Sequence, residues 1–79
     1  AAMGGLLLLK VSLLDGPARA YTQQRDLDGR LGWMAVPRDE ALPEAEIEAY
    51  LERALKRDPD LWLVEVEDRQ GRNPFSPEA

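Results

Sequence analysis

The 79-residue chain contains no cysteine and no histidine. Their absence excludes disulfide frameworks, zinc sites of the usual Cys/His kinds, cysteine nucleophiles and histidine-based triads. Aromatic residues are few, with two Trp, two Tyr and one Phe. Long apolar runs are also missing. Leu6-Leu7-Leu8-Leu9 stops at Lys10, far short of the ~20 residues a membrane helix needs, and no basic residue precedes it as a signal peptide requires. The run reads as a buried strand and the chain as cytoplasmic, with no membrane partner. Lysine is scarce too, two against eight arginines, and only four residues are Asn or Gln. That bias is compatible with a GC-rich bacterial genome and a thermophilic source.

What is present is ordinary for a folded chain: 44% hydrophobic and 32% charged residues, a net charge of −5 and a pI near 4.6. The length makes residues 1–79 one small domain, since two would each lack a working core. Such a core contributes only about 3–5 kcal/mol net. Dense packing or burial against a partner chain must supply the rest.

Turn and period signals divide the chain into five elements. Leu6–Leu14 reads as a strand, closed by Asp15-Gly16-Pro17. Ala20–Asp26 is a second, shallowly buried strand. Asp28-Gly29 marks a hairpin, because Gly accepts the positive φ of a tight turn. Arg30–Val36 is the third strand and ends at Pro37. The helix spans about Pro43 to Arg57, with Pro43 at the first helical position. Glu44, Glu46 and Glu48 lie at its start and Arg53, Lys56 and Arg57 at its end, an order that suits the macrodipole. Leu61–Glu67 is the fourth strand. Residues 1–5 read as a flexible N-terminus and 73–79 as an irregular tail.

The first and last strands match when laid parallel. Leu6 meets Leu61, Leu8 meets Leu63, and Lys10 meets Glu65. An antiparallel arrangement would set leucines against glutamates. The fold class is therefore α+β: a two-layer β-β-β-α-β domain with a mixed four-stranded sheet, order 3-2-1-4, and one helix on one face. The reading places the helix over Leu9, Val11, Trp62 and Val64. Leu6, Leu8, Leu61 and Leu63 then form an uncovered apolar patch, a candidate oligomer or partner interface. A tail folded back with Phe75 over this patch is the competing expectation.

Charge is segregated. Residues 1–38 carry a net +2, residues 39–68 a net −8 and residues 69–79 a net +1. Function follows at low resolution. The leading expectation is a non-enzymatic module that self-associates, as a homodimer or higher oligomer, or docks on a protein partner. The alternative is weak single-stranded nucleic-acid binding by the Arg/aromatic hairpin 19–38, through Arg19, Tyr21, Arg25, Arg30 and Trp33. A net −5 opposes that alternative, because backbone affinity grows with neutralised phosphates.

No catalytic constellation is expected. Asp26-x-Asp28-Gly29 departs from a calcium loop, with Gly too early and Arg30 where an oxygen ligand belongs. Glu65 and Glu67 share a strand face, but nothing nearby argues for the desolvation that acid/base work needs. The reading calls for no metal and no cofactor, and no motif marks a known family.

Overall fold

A computed structural model describes residues 6–75. In chain order the elements are β1 (Leu7–Ser12), β2 (Pro17–Arg25), β3 (Leu31–Val36), β4 (Leu42–Pro43), α1 (Glu44–Arg57) and β5 (Trp62–Glu67). The sheet order is β3-β2-β1-β5, and the two-residue β4 adds to the start of β2. β1 runs antiparallel to β2 and parallel to β5. The expected register of the end strands holds residue by residue: Leu8 faces Leu63, Lys10 faces Glu65 and Ser12 faces Glu67.

Local chemistry sets the boundaries. Leu14 adopts φ 76 and Gly16 φ 109, which turns the chain out of β1. β2 begins at Pro17, three residues before the expected Ala20, because Pro17 and Ala18 pair with Pro43 and Leu42 of β4. The sequence gives no period for a strand only two residues long. In the β2–β3 turn Gly29 takes φ 83. The Asp26 carboxylate there accepts the Asp28 and Arg30 backbone N–H groups at 2.8 and 3.0 Å. Asp26 thus holds the hairpin turn. Pro43 sits one place earlier than expected, at the N-cap of α1.

The helix does not lie on the expected face. Its core joins Ile47, Leu51 and Ala54 of α1 to Leu8, Ala18, Ala20, Val36 and Leu42. Leu8 is 1% exposed beneath the helix, Leu61 packs against the same cluster, Leu6 is half-buried, and Leu63 is 37% exposed. Leu8 and Leu61 thus belong to the helix layer, while Leu6 is half-buried and Leu63 partly open, so the four do not form one uncovered patch. Two features decide the side. Ala18 and Ala20 of β2 let a helix backbone approach closely, whereas the opposite face carries Tyr21, Trp33 and Trp62. Lys10 also points to the helix side, and α1 supplies the carboxylates its ammonium requires.

Ile47 is 0% exposed at the centre of this layer. Ile47→Ala should cost about 2–5 kcal/mol, measured by urea unfolding. Leu27 is fully exposed on the hairpin turn, and Leu27→Ser should stay within about 0.5 kcal/mol of the parent.

Candidate functional site

Strand alternation assigns the sheet face opposite α1. It carries Leu7, Leu9 and Val11 of β1, Trp62, Val64 and Val66 of β5, Arg19, Tyr21, Gln23 and Arg25 of β2, and Leu31, Trp33 and Ala35 of β3. Leu9 and Val11 are 0% exposed although no helix covers them. The chain beyond β5 folds back on this side, against Leu13, Arg19, Tyr21 and Trp33.

Asp68 directs that return. Its carbonyl accepts the Gly71 N–H at 2.8 Å. Its carboxylate accepts the Arg72 backbone N–H at 2.8 Å and the Arg72 Nε–H at 3.1 Å. Gly71, at φ 69, settles over β2, where the Tyr21 hydroxyl donates to its carbonyl at 2.9 Å. An added Cβ at Gly71 would lie 3.0 Å from Arg19 Cδ. Asn73 is buried and accepts the Phe75 N–H at 2.8 Å. The Phe75 ring stacks on Trp33 with centroids 6.2 Å apart. Residues 71–75 therefore lie across this face without regular secondary structure. The expected tail has its Phe75 against Trp33 and not over the four leucines; residues 76–79 and 1–5 lie outside the described residues.

The hairpin residues are partly brought together. Arg19, Tyr21, Arg25 and Trp33 share this face, while Arg30 precedes β3 in the turn. Four of the five are already engaged within the chain, Arg25 by donating to the Gly29 carbonyl at 2.9 Å. Arg19 pairs with Asp39 at 2.9 Å, Tyr21 holds Gly71, and Trp33 stacks on Phe75. A shallow cavity of about 410 Å³ opens beside them, lined by Tyr21, Trp33, Met34, Ala35, Asp39 and Asn73. The Asn73 Nδ2 at its wall is buried without a hydrogen-bond partner among the described residues.

On the helix side, Lys10 crosses from β1 to α1. Its ammonium is held by Glu44 at 2.6 Å and by Glu48. Burial acts to discharge the amine. The hydrogen bonds to the two glutamates outweigh it, so Lys10 titrates above its ordinary 10.5. A second shallow cavity, about 390 Å³, is lined by Lys10, Ser12, Glu44, Glu65, Val66 and Glu67. Among the described residues no group of three or more acidic side chains is placed to hold a metal ion. No helix of the described residues is long and apolar enough to cross a membrane.

The chain matches, over residues 1–76, the family described as "Protein of unknown function (DUF1491)". The chain belongs to the DUF1491 family. The crystal structure of a DUF1491 family protein from Caulobacter crescentus CB15 is 40% identical, with a TM-score of 0.69 over 86% of this chain and 63% of that one. The NMR structure of a DUF1491 family protein from the same organism is 41% identical, with a TM-score of 0.70 over 91% of this chain and 64% of that one. This chain thus spans a little under two thirds of those DUF1491 chains. No curated protein matches it.

Sequence reasoning missed the Lys10–Glu44–Glu48 grip. Its signal was a lone lysine in an apolar strand and glutamates four apart on the helix. Neutralising both glutamates (Glu44→Gln with Glu48→Gln) should destabilise the fold by about 3–5 kcal/mol, because a buried ammonium is left unpaired. Lys10→Met should be near neutral, since both glutamates are half exposed and can be hydrated. Comparative thermal unfolding distinguishes the two.

The pH dependence follows from Lys10 and Asp68. The Lys10 contribution is fully present below 10.5 and is lost as pH rises through its higher folded value. The side chain and backbone of Arg72 hold the Asp68 carboxyl below its ordinary 3.8. That contribution is present above 3.8 and lost as pH falls through the lower folded value. Urea midpoints measured against pH should fall at both extremes, and the alkaline fall should vanish in Lys10→Met.

Proposed function

We propose that this DUF1491 protein is a small non-enzymatic interaction module that works as a self-associated assembly. The observation that carries the reading is where its large apolar side chains remain open. Leu31 and Met34 on β3 are 49% and 44% exposed, and Trp62 and Leu63 on β5 are 63% and 37% exposed. All four sit on the two edge strands of the sheet. β3 and β5 thus each present half-exposed apolar side chains at a sheet edge, where pairing with another chain would cover them. A core drawn from only ten buried hydrophobic side chains among the described residues leaves the fold reliant on added burial.

For the hairpin alternative, Arg25 and Arg30 form no ion pair among the described residues, but the Arg25 guanidinium already donates to the Gly29 carbonyl. Its stacking surface is already taken by Phe75.

Sedimentation equilibrium at micromolar concentration tests the reading. The expected mass is at least twice the 8.9 kDa of one chain. A single-chain mass across the whole concentration range overturns it.

A further inference from the structure

The two sheet edges differ. β5 carries Glu65 and Glu67, and inward or edge charges are a common way to keep a strand from pairing with another chain. β3 reads Leu31-Gly32-Trp33-Met34-Ala35-Val36 and has no charge and no proline. One side of β3 pairs with β2. Its other side has no strand partner among the described residues, so its outward backbone groups form an unguarded edge.

Gly32 sharpens the point. Its φ is not in the left-handed region, and a Cβ built there meets nothing within 4 Å. Neither backbone geometry nor a neighbour in its own chain calls for glycine. Glycine inside a strand loses packing and conformational entropy, and it commonly marks a place where something else approaches.

We propose that β3 pairs antiparallel with β3 of a second copy, about a two-fold axis at Trp33. The inference rests on the self-association reading and names its seam. With that axis, Trp33 meets Trp33 of the other copy, and on either side of it the larger Leu31 and Met34 meet the smaller Ala35 and Gly32. On the helix side Met34 lies over Gly32 of the other copy, in the space left open there. On the opposite face Leu31 lies across from Ala35 of the other copy, at the cavity lined by Tyr21, Trp33, Asp39 and Asn73. Both half-exposed apolar side chains of β3 are then covered, and the pair is self-complementary as two-fold contacts require.

Charge favours a second copy at this edge over the other. Each chain carries −5, concentrated as −8 in residues 39–68. β5 lies three strands from β3, roughly 14 Å away at about 4.8 Å per strand. Joining through β3 sets the glutamates of β5 at the two far rims of one continuous sheet.

Absence of native cysteine makes the test clean. Wild-type protein and Met34→Lys are compared by sedimentation equilibrium, and circular dichroism checks their fold. Position 34 is half exposed at an edge, so the variant should fold as the parent does while its dimer dissociation constant rises at least tenfold. Independently, chains bearing Gly32→Cys and chains bearing Met34→Cys are mixed and oxidised. Positions 32 and 34 face each other across the seam, so the mixed disulfide should form in excess over either same-variant disulfide. A dimeric wild type with an unshifted Met34→Lys, or with no excess of mixed disulfide, overturns the β3 seam and leaves self-association standing. A monomeric wild type overturns both.

Discussion

A buried ammonium organises this molecule. Lys10 sits mid-strand in β1, one of the two interior strands of the sheet, and points into the helix layer, with its charged end held by Glu44 and Glu48. Burying a charge without partners is prohibitive, so α1 must present its first two turns there. That requirement fixes which face of the sheet the helix covers and the helix's position along β1. Everything on the other face, including the return of residues 71–75, is a consequence of that choice.

The sequence made the connectivity legible and left the sidedness ambiguous. Hairpin chemistry at Asp28-Gly29, the cap charges of α1 and the match between Leu6–Ser12 and Leu61–Glu67 were enough to specify strand order and parallel register. Both faces of β1 are apolar, however, so alternation alone could not say which one the helix takes. The uninterrupted apolar face of Leu9, Val11, Trp62 and Val64 favoured the wrong answer. The deciding details were the small Ala18 and Ala20 and the need of Lys10 for carboxylates, which are pair properties across thirty or more residues. The two-residue β4 and the fold-back at Gly71 were illegible for a related reason. Neither has a period, and each depends on a partner distant in the chain.

For the candidate surfaces the outcome is mixed. Of Leu6, Leu8, Leu61 and Leu63, Leu8 and Leu61 belong to the core under the helix, while Leu6 is half-buried and Leu63 is partly open. Four of the five hairpin residues share a face, but Tyr21, Trp33, Arg19 and Arg25 are committed to intramolecular contacts. Large apolar side chains left exposed lie on the outermost strands, at Leu14 and Leu27 in the turns and at Phe75. Sidedness thus changes the meaning of the apolar residues without changing the fold class.

The start of α1 carries one more consequence. Pro43 offers no side-chain cap, and the Glu44 N–H instead reaches the Gly16 carbonyl in the turn after β1 at 3.2 Å. Together with the Lys10 grip, this ties the helix at its beginning to two separate parts of the sheet. Beyond the buried Leu51 and Ala54, its last turn has only the Asp58 N–H on the Ala54 carbonyl and exposed basic side chains. Native-state hydrogen exchange in α1 should therefore be graded, with fraying entering from Arg57 and slowing toward Ile47.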